Sequence, residues 1–260
     1  MQLKVLFRYL ILMFISCIVP SCQDEPEENK NSDPDALATV ISADGIPSTP
    51  GSVFSKIDET TFMLDYVKYK IVDSHLEIIG YDEIELAGEP KLYSQVTIDG
   101  VSFQTRKIDE FAFSWAANLK RIVIPNTVKE IGKYCFAKCW SLEYIKLPEG
   151  ISELRNCTFY GCSSLESIIL PKSINKIGHL CFGHCPKGMS IYFQSEIPPS
   201  LLTNNSVFSW SPDKRLGVSH DIVDDTYHYF IAYVPEESFD SAYYYAFFID
   251  VVFYSSLPVE

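Results

Sequence analysis

Basic residues are scarce in this chain of 260: 21 lysines and arginines face 34 aspartates and glutamates, for a formal net charge of −13. Such a surface repels a phosphate backbone, and no basic stretch interleaved with aromatics offsets it. That argues against nucleic-acid binding. Long apolar runs are missing as well. Tyr9–Val19 is too short to cross a bilayer as a helix, and no later segment is apolar enough. The usual marks of chemistry are also absent. The chain has no nucleophile elbow, no phosphate-cradling glycine loop and no His-Glu-x-x-His. Carboxylates are plentiful, but no spacing forces them together. The expectation is a non-enzymatic protein with no cofactor and no metal.

What is present begins at the N-terminus. Lys4 and Arg8 precede the apolar stretch, and Val19-Pro20-Ser21-Cys22 follows it. A small residue directly before a cysteine in this setting resembles a bacterial lipobox. The resemblance implies a signal peptide over 1–21 and a lipid on Cys22, anchoring a secreted protein at the bacterial outer membrane, facing the exterior. An ordinary signal peptide cut nearby, or an uncleaved anchor, is the alternative. Residues 22–50 are polar, acidic and proline-containing, which predicts a disordered tether. The acids after Cys22 (Asp24, Glu25, Glu27, Glu28) resemble a surface-export signal of some Gram-negative anaerobes, and equally read as a solvated spacer.

Residues 51–105 read as an N-terminal β cap. Phe62–Ile71 and Leu76–Glu85 are strand-like, with a turn at Asp73-Ser74. Asp99-Gly100 lies between two further strand runs and predicts a tight hairpin.

From 106 to 193 the chain repeats itself every 23 residues. Phe113, Phe136, Phe159 and Phe182 form one column; Ile108, Ile131, Leu154 and Ile177 form another. Leu119, Leu142 and Leu165, the Ile122 and Ile124 columns, and Pro125, Pro148 and Pro171 keep the same register. Within each unit Leu-x-x-Ile-x-Leu-Pro has strand alternation closed by proline. Gly132 and Gly178 fit a tight turn. A single unit cannot hide its Leu, Ile and Phe, whereas stacked coils hide them against one another. About four coils are expected, followed by a C-terminal cap over 194–260 with an insertion at 214–225.

Ile131-Gly132, Cys135-Phe136, Cys139, Ser141-Leu142 and Ile145-x-Leu147-Pro148, repeated one unit later, resemble the BspA-like bacterial surface leucine-rich repeats. The resemblance implies a repeat solenoid: a short, β-rich, right-handed superhelix with β-containing caps at both ends. It also implies attachment to a host or bacterial protein or a glycan.

On that fold, residues between the inward Leu and Ile positions lie on the concave strand face. Arg121, Val123, Tyr144, Lys146, Ile169, Met189 and Tyr192 are the candidate partner-binding residues. A structural subunit of a cell-surface assembly is the alternative, and a hydrolase with a C-terminal site a further one. Six cysteines (Cys135, Cys139, Cys157, Cys162, Cys181, Cys185) follow the repeat register and read as buried thiols, with disulfides or a metal as alternatives. His179 and His184 could join Cys181 and Cys185 on a metal, but His184 stands in a variable column. His220, Asp221, Asp224, Asp225 and His228 are a denser cluster that lacks the turn glycine of a calcium loop.

Overall fold

The computed structural model describes residues 38–41, 47–86, 88–186, 188–196, 199–201, 219–220, 227–228, 231–235 and 250–254. The signal segment, Cys22 and the acids after it lie outside these residues. Seven strands precede the repeats: β1 (Ala38–Ile41), β2 (Phe54–Lys56), β3 (Thr61–Leu64), β4 (Val67–Val72), β5 (His75–Tyr81), β6 (Gln95–Ile98) and β7 (Val101–Ile108). They form one sheet in the order β1-β6-β7-β5-β4-β3-β2.

Two expectations change here. Ala38–Ile41 falls inside the predicted tether, yet it pairs in parallel with β6 over its whole length. Thr39 and Ile41 point inward and Val40 outward, a period-2 pattern too short to stand out in a polar stretch. The single strand expected over Phe62–Ile71 is two strands. Asp65 and Tyr66 both take positive φ, 49° and 68°, and fold β3 back onto β4 with Leu64 opposite Val67. No glycine marks this turn, so side chains hold it. The Asp65 carboxylate accepts hydrogen bonds from the Val53 amide (2.8 Å), the Ser52 hydroxyl (2.9 Å) and the buried Tyr93 hydroxyl (2.7 Å). The Asp99-Gly100 hairpin is present as expected, with φ of 51° and 77°, and the turn at Asp73-Ser74 joins β4 to β5.

The end of β7 leads into the coils, which begin at Lys107, Glu130, Glu153 and Lys176. One strand column is β8 (Arg121–Val123), β10 (Tyr144–Lys146), β12 (Ser167–Leu170) and β14 (Ser190–Phe193). The other runs from the end of β7 through β9 (Glu130–Ile131), β11 (Glu153–Leu154) and β13 (Lys176–Ile177) to β15 (Ser200–Leu201). Where strands pair, they are parallel, as at Tyr144 with Arg121 and Ser190 with Ser167. The Phe, Leu and Ile columns read from the sequence are all buried. Phe113, Phe136, Phe159 and Phe182 stack in series at 5.4, 5.7 and 5.6 Å between centroids. Tyr81 from β5 extends the series, 6.0 Å from Phe113. Its hydroxyl donates to the Ser114 carbonyl at 3.1 Å.

Between the strand columns each coil makes a turn segment without helix. Two columns of it sit at positive φ: Phe111, Tyr134, Cys157 and Leu180, then Trp115, Lys138, Gly161 and His184. This left-handed backbone lets each turn lie flat on the next. Three backbone bonds cross every junction there, such as Phe113 N–H to Cys135 O and Phe136 N–H to Thr158 O, both 2.9 Å.

Past the fourth coil, β18 (Ile231–Pro235) pairs in parallel with β14, and β19 (Asp250–Tyr254) with β18. Val234-Pro235, expected in an exit cap, therefore continues the first strand column. The register steps from Ser190 to Ile231 and then to Asp250. These steps depart from the repeat length, so the sequence period hides them. β16 (Ser219–His220) and β17 (Tyr227–His228) form a small antiparallel pair.

Gly132 and Gly178 do a different job from the tight turn expected of them. Neither has positive φ; each lies against the backbone of the preceding coil. A Cβ at Gly132 would collide with Glu110 N and Asp109 C, and one at Gly178 would sit 2.5 Å from Asn156 N. The column reads Asp109, Gly132, Arg155, Gly178, and the strand pairing follows it. At the first-to-second junction β7 pairs with β9 and β8 with β10; at the third-to-fourth, β11 pairs with β13 and β12 with β14. Gly132 N–H donates to Ile108 O at 2.8 Å and Gly178 N–H to Leu154 O at 2.7 Å. At the second-to-third junction, where Arg155 stands, no ladder joins β9 to β11 or β10 to β12 among the described residues. The Arg155 guanidinium reaches across instead, 3.1 Å from the Glu130 carboxylate.

Candidate functional site

The strand face opens where the ladder is missing. A cleft of about 210 Å³ lies between β10 and β12, lined by Arg121, Tyr144, Lys146, Ser167, Ile169 and Gln194. Four of the seven candidate residues thus meet in one place. Strand alternation explains it: Ile145 and Ile168 point into the core, which turns Tyr144, Lys146 and Ile169 outward. The Arg121 guanidinium lies 3.6 Å from the centre of the Tyr144 ring, a cation–π contact that fixes both side chains at the rim. The cleft therefore combines an aromatic face, two cations and apolar Ile169, with Glu149 at its edge.

The other three candidates are placed differently. Val123 is half-buried on β8, outside the cleft. Tyr192 is half-buried beneath the next strand, its ring stacked on Tyr233 at 4.3 Å and 18°. Burial there pushes its hydroxyl pKa up. Met189 is a correction: it is only 1 % exposed and belongs to the core. Gly188 stands in the column of Leu119, Leu142 and Leu165. It brings no side chain inward, and Met189 fills the interior instead. Gln194 in the cleft was not anticipated. Its signal was a break in the proline column, where Pro125, Pro148 and Pro171 are followed by Gln194.

The six cysteines are all buried and none is disulfide-bonded. Three of them have a specific task. The thiols of Cys139, Cys162 and Cys185 donate to the carbonyls of Phe113, Phe136 and Phe159 at 3.1, 3.2 and 3.3 Å. Each gives a buried carbonyl on the preceding coil a further partner. Ala116 holds this column in the first coil, where no earlier Phe in the series exists to be served. Burial raises the Cys139 and Cys185 pKa to about 12, so both stay as neutral thiols at physiological pH.

The histidine candidates do not converge. The His179 amide donates to Asn156 Oδ1 at 2.9 Å, and His184 packs edge-on to Tyr160. Cys181 and Cys185 are interior. His220 and His228 sit on paired strands, while Asp221, Asp224 and Asp225 lie outside the described residues. Among the described residues no group of three His, Cys, Asp or Glu is placed to hold a metal. A larger cleft of about 630 Å³ lies on the N-terminal sheet, between Ile41, Ile98 and Phe103 on one side and Phe54, Phe62 and Ile71 on the other, with Lys56, Asp58, Glu59 and Asp99 also in its lining.

Residues 91–211 match the BspA type leucine rich repeat region, in six copies. Four regular coils were expected; the match reaches further at both ends, where the columns are less regular. No curated protein matches the chain significantly. Among solved structures, a leucine-rich repeat protein from Bacteroides ovatus is 28% identical, covers 56% of this chain and 37% of its own length, with a TM-score of 0.49. A leucine rich cell surface protein from Faecalibacterium prausnitzii is 26% identical over 52% of this chain and 34% of its own, with a TM-score of 0.46. The chain therefore spans only about a third of either protein. The pneumococcal vaccine antigen PcpA is 18% identical over 78% of this chain and 49% of its own, with a TM-score of 0.53. That last likeness shows the shared repeat fold.

Proposed function

We propose that this chain, which belongs through residues 91–211 to the BspA-type leucine-rich-repeat family, is a non-enzymatic cell-surface binding module that holds a partner on its strand face. The observation that carries this reading is the cleft between β10 and β12, where Arg121, Tyr144, Lys146 and Ile169 come together. An aromatic with flanking cations around an apolar floor is the composition of an interface anchor. On a chain of net charge −13, two cations at one cleft also favour an acidic contact on the partner.

In this reading Cys22 carries a lipid at the outer membrane, and the acidic residues after it hold the fold clear of the surface. The N-terminal sheet and the C-terminal strands close the ends of a right-handed superhelix. Support for the first closure comes from Tyr81, the outermost ring of the buried aromatic series. The test is capture of purified extracellular-matrix proteins, arrayed singly, by the full chain. Capture of at least one, weakened more than tenfold by Arg121→Ala with Tyr144→Ala, is the expected result. Undiminished capture by a folded double variant would remove the strand face from the account.

A further inference from the structure

The turn side of the first two coils carries four large aromatics that the core does not use. Phe111, Trp115, Tyr134 and Trp140 are 55%, 60%, 38% and 43% exposed. Their counterparts in the third and fourth coils include no Phe, Tyr or Trp: Cys157 and Leu180, Gly161 and His184, Ser163 and Pro186. The large exposed rings thus gather on the first two coils, while on this side the later ones offer only the half-buried Tyr160 against His184.

The repeat backbone does not require these rings. Phe111, Tyr134 and Trp115 occupy left-handed backbone, at φ of 60°, 55° and 65°. A side chain there costs roughly 1–2 kcal/mol relative to glycine, and Gly161 shows that the second of these columns accepts glycine. Large rings left open to water, where the same columns elsewhere hold Cys157, Leu180, Lys138 and Gly161, point to a ligand.

The geometry gives its chemistry. The Phe111 and Tyr134 rings stack face to face at 5.0 Å and 7°, one from each coil. Trp115 and Trp140 meet edge to face at 5.3 Å and 87°. Beside Trp115 lies a hollow of about 220 Å³ into which Glu83 and Asn118 open, with Leu86 and Ala116 behind them. Charge near this pair is self-cancelling, because Lys133 sits 4.0 Å from Glu110. A pyranose ring matches this set. Its C–H face, slightly positive, lies on the negative face of an aromatic ring. Its hydroxyls pair with a carboxylate and a carboxamide. Glu83 and the net charge of −13 disfavour an acidic sugar. Exposed rings spread over two successive coils suit several linked residues better than one.

We propose that this turn side is a second binding surface, for an uncharged polysaccharide, independent of the strand face. The test is affinity electrophoresis of the full chain through gels holding a β-glucan, a xylan, a mannan or starch, with polygalacturonate as the acidic comparison. Retardation by at least one neutral polymer is expected. It should weaken more than tenfold in Trp115→Ala with Trp140→Ala and be unchanged in Tyr144→Ala. A second measurement needs no variant: the retarding polymer should protect Trp115 and Trp140 of the native chain from N-bromosuccinimide. Failure of all four neutral polymers, stronger retardation by polygalacturonate, or binding that leaves both tryptophans as reactive as before would overturn the proposal.

Discussion

The second-to-third junction and the two junctions that flank it carry the same repeat, yet they are joined differently. All three share the stacked phenylalanines and the bonded turn segments. Only the flanking two have parallel strand ladders on both columns. The difference traces to one position per coil. Gly132 and Gly178 bring their backbone against the coil before, where a Cβ has no room. Arg155 has a Cβ, and an ion pair with Glu130 stands where the ladder would be. At the head of the column Asp109 still bonds to Ile78 of β5, at 2.8 Å, because the element before it is an open strand and not a turn. A solenoid of nearest-neighbour contacts can thus be zipped or unzipped coil by coil by a single side chain. Here the unzipped junction is also the one that opens onto the candidate cleft.

Removing the element that all three junctions share should have the largest effect. Phe159 packs against rings on both sides, across one unzipped junction and one zipped. Phe159→Ala is expected to cost about 3–5 kcal/mol. At the unzipped junction the turn bonds, the Cys162 thiol bond and the Arg155–Glu130 pair remain without a strand ladder to back them, so urea unfolding followed by fluorescence and by circular dichroism should separate into two steps. A single coincident transition would show that the strand ladders matter less than held here. A smaller effect should follow from making a zipped junction resemble the unzipped one. Gly178→Ala forces a methyl group toward Asn156 N and should cost about 1–3 kcal/mol by overpacking, read as a lower urea midpoint. The same substitution at Gly161, in the turn column, meets only the flexible Lys138 side chain besides its positive φ of 75°, and should cost about 1 kcal/mol.

Much of this was legible in advance. Columns of Phe, Leu and Ile repeating every 23 residues can only bury themselves by stacking, and each of those residues is in the core. The strand face was legible for the same reason, since alternation turns Tyr144, Lys146 and Ile169 outward once Ile145 and Ile168 are inside. Met189 escaped because its burial depends on what Gly188 lacks. Ala38–Ile41 escaped because four residues pairing with a distant strand leave little local pattern. The hairpin at Asp65-Tyr66 escaped because its turn is stabilised from Val53, Ser52 and Tyr93, far away in the chain. The role of the Gly132 column was hidden too. Glycine beside a strand reads as a turn, whereas here it marks close approach between neighbouring coils.

Amide hydrogen exchange at position 155 shows whether Arg155 keeps the second-to-third junction unzipped. Gly132 and Gly178 donate to Ile108 and Leu154 across their junctions, so their amides should be strongly protected. The Arg155 amide should exchange at least tenfold faster than either. In Arg155→Gly the loss of a surface ion pair and the added glycine entropy roughly offset the new ladder, leaving global stability within about 1 kcal/mol. The amide at 155 should nevertheless slow toward the rates of Gly132 and Gly178. An Arg155 amide already as protected as those two, or one that the substitution leaves unchanged, would contradict the account.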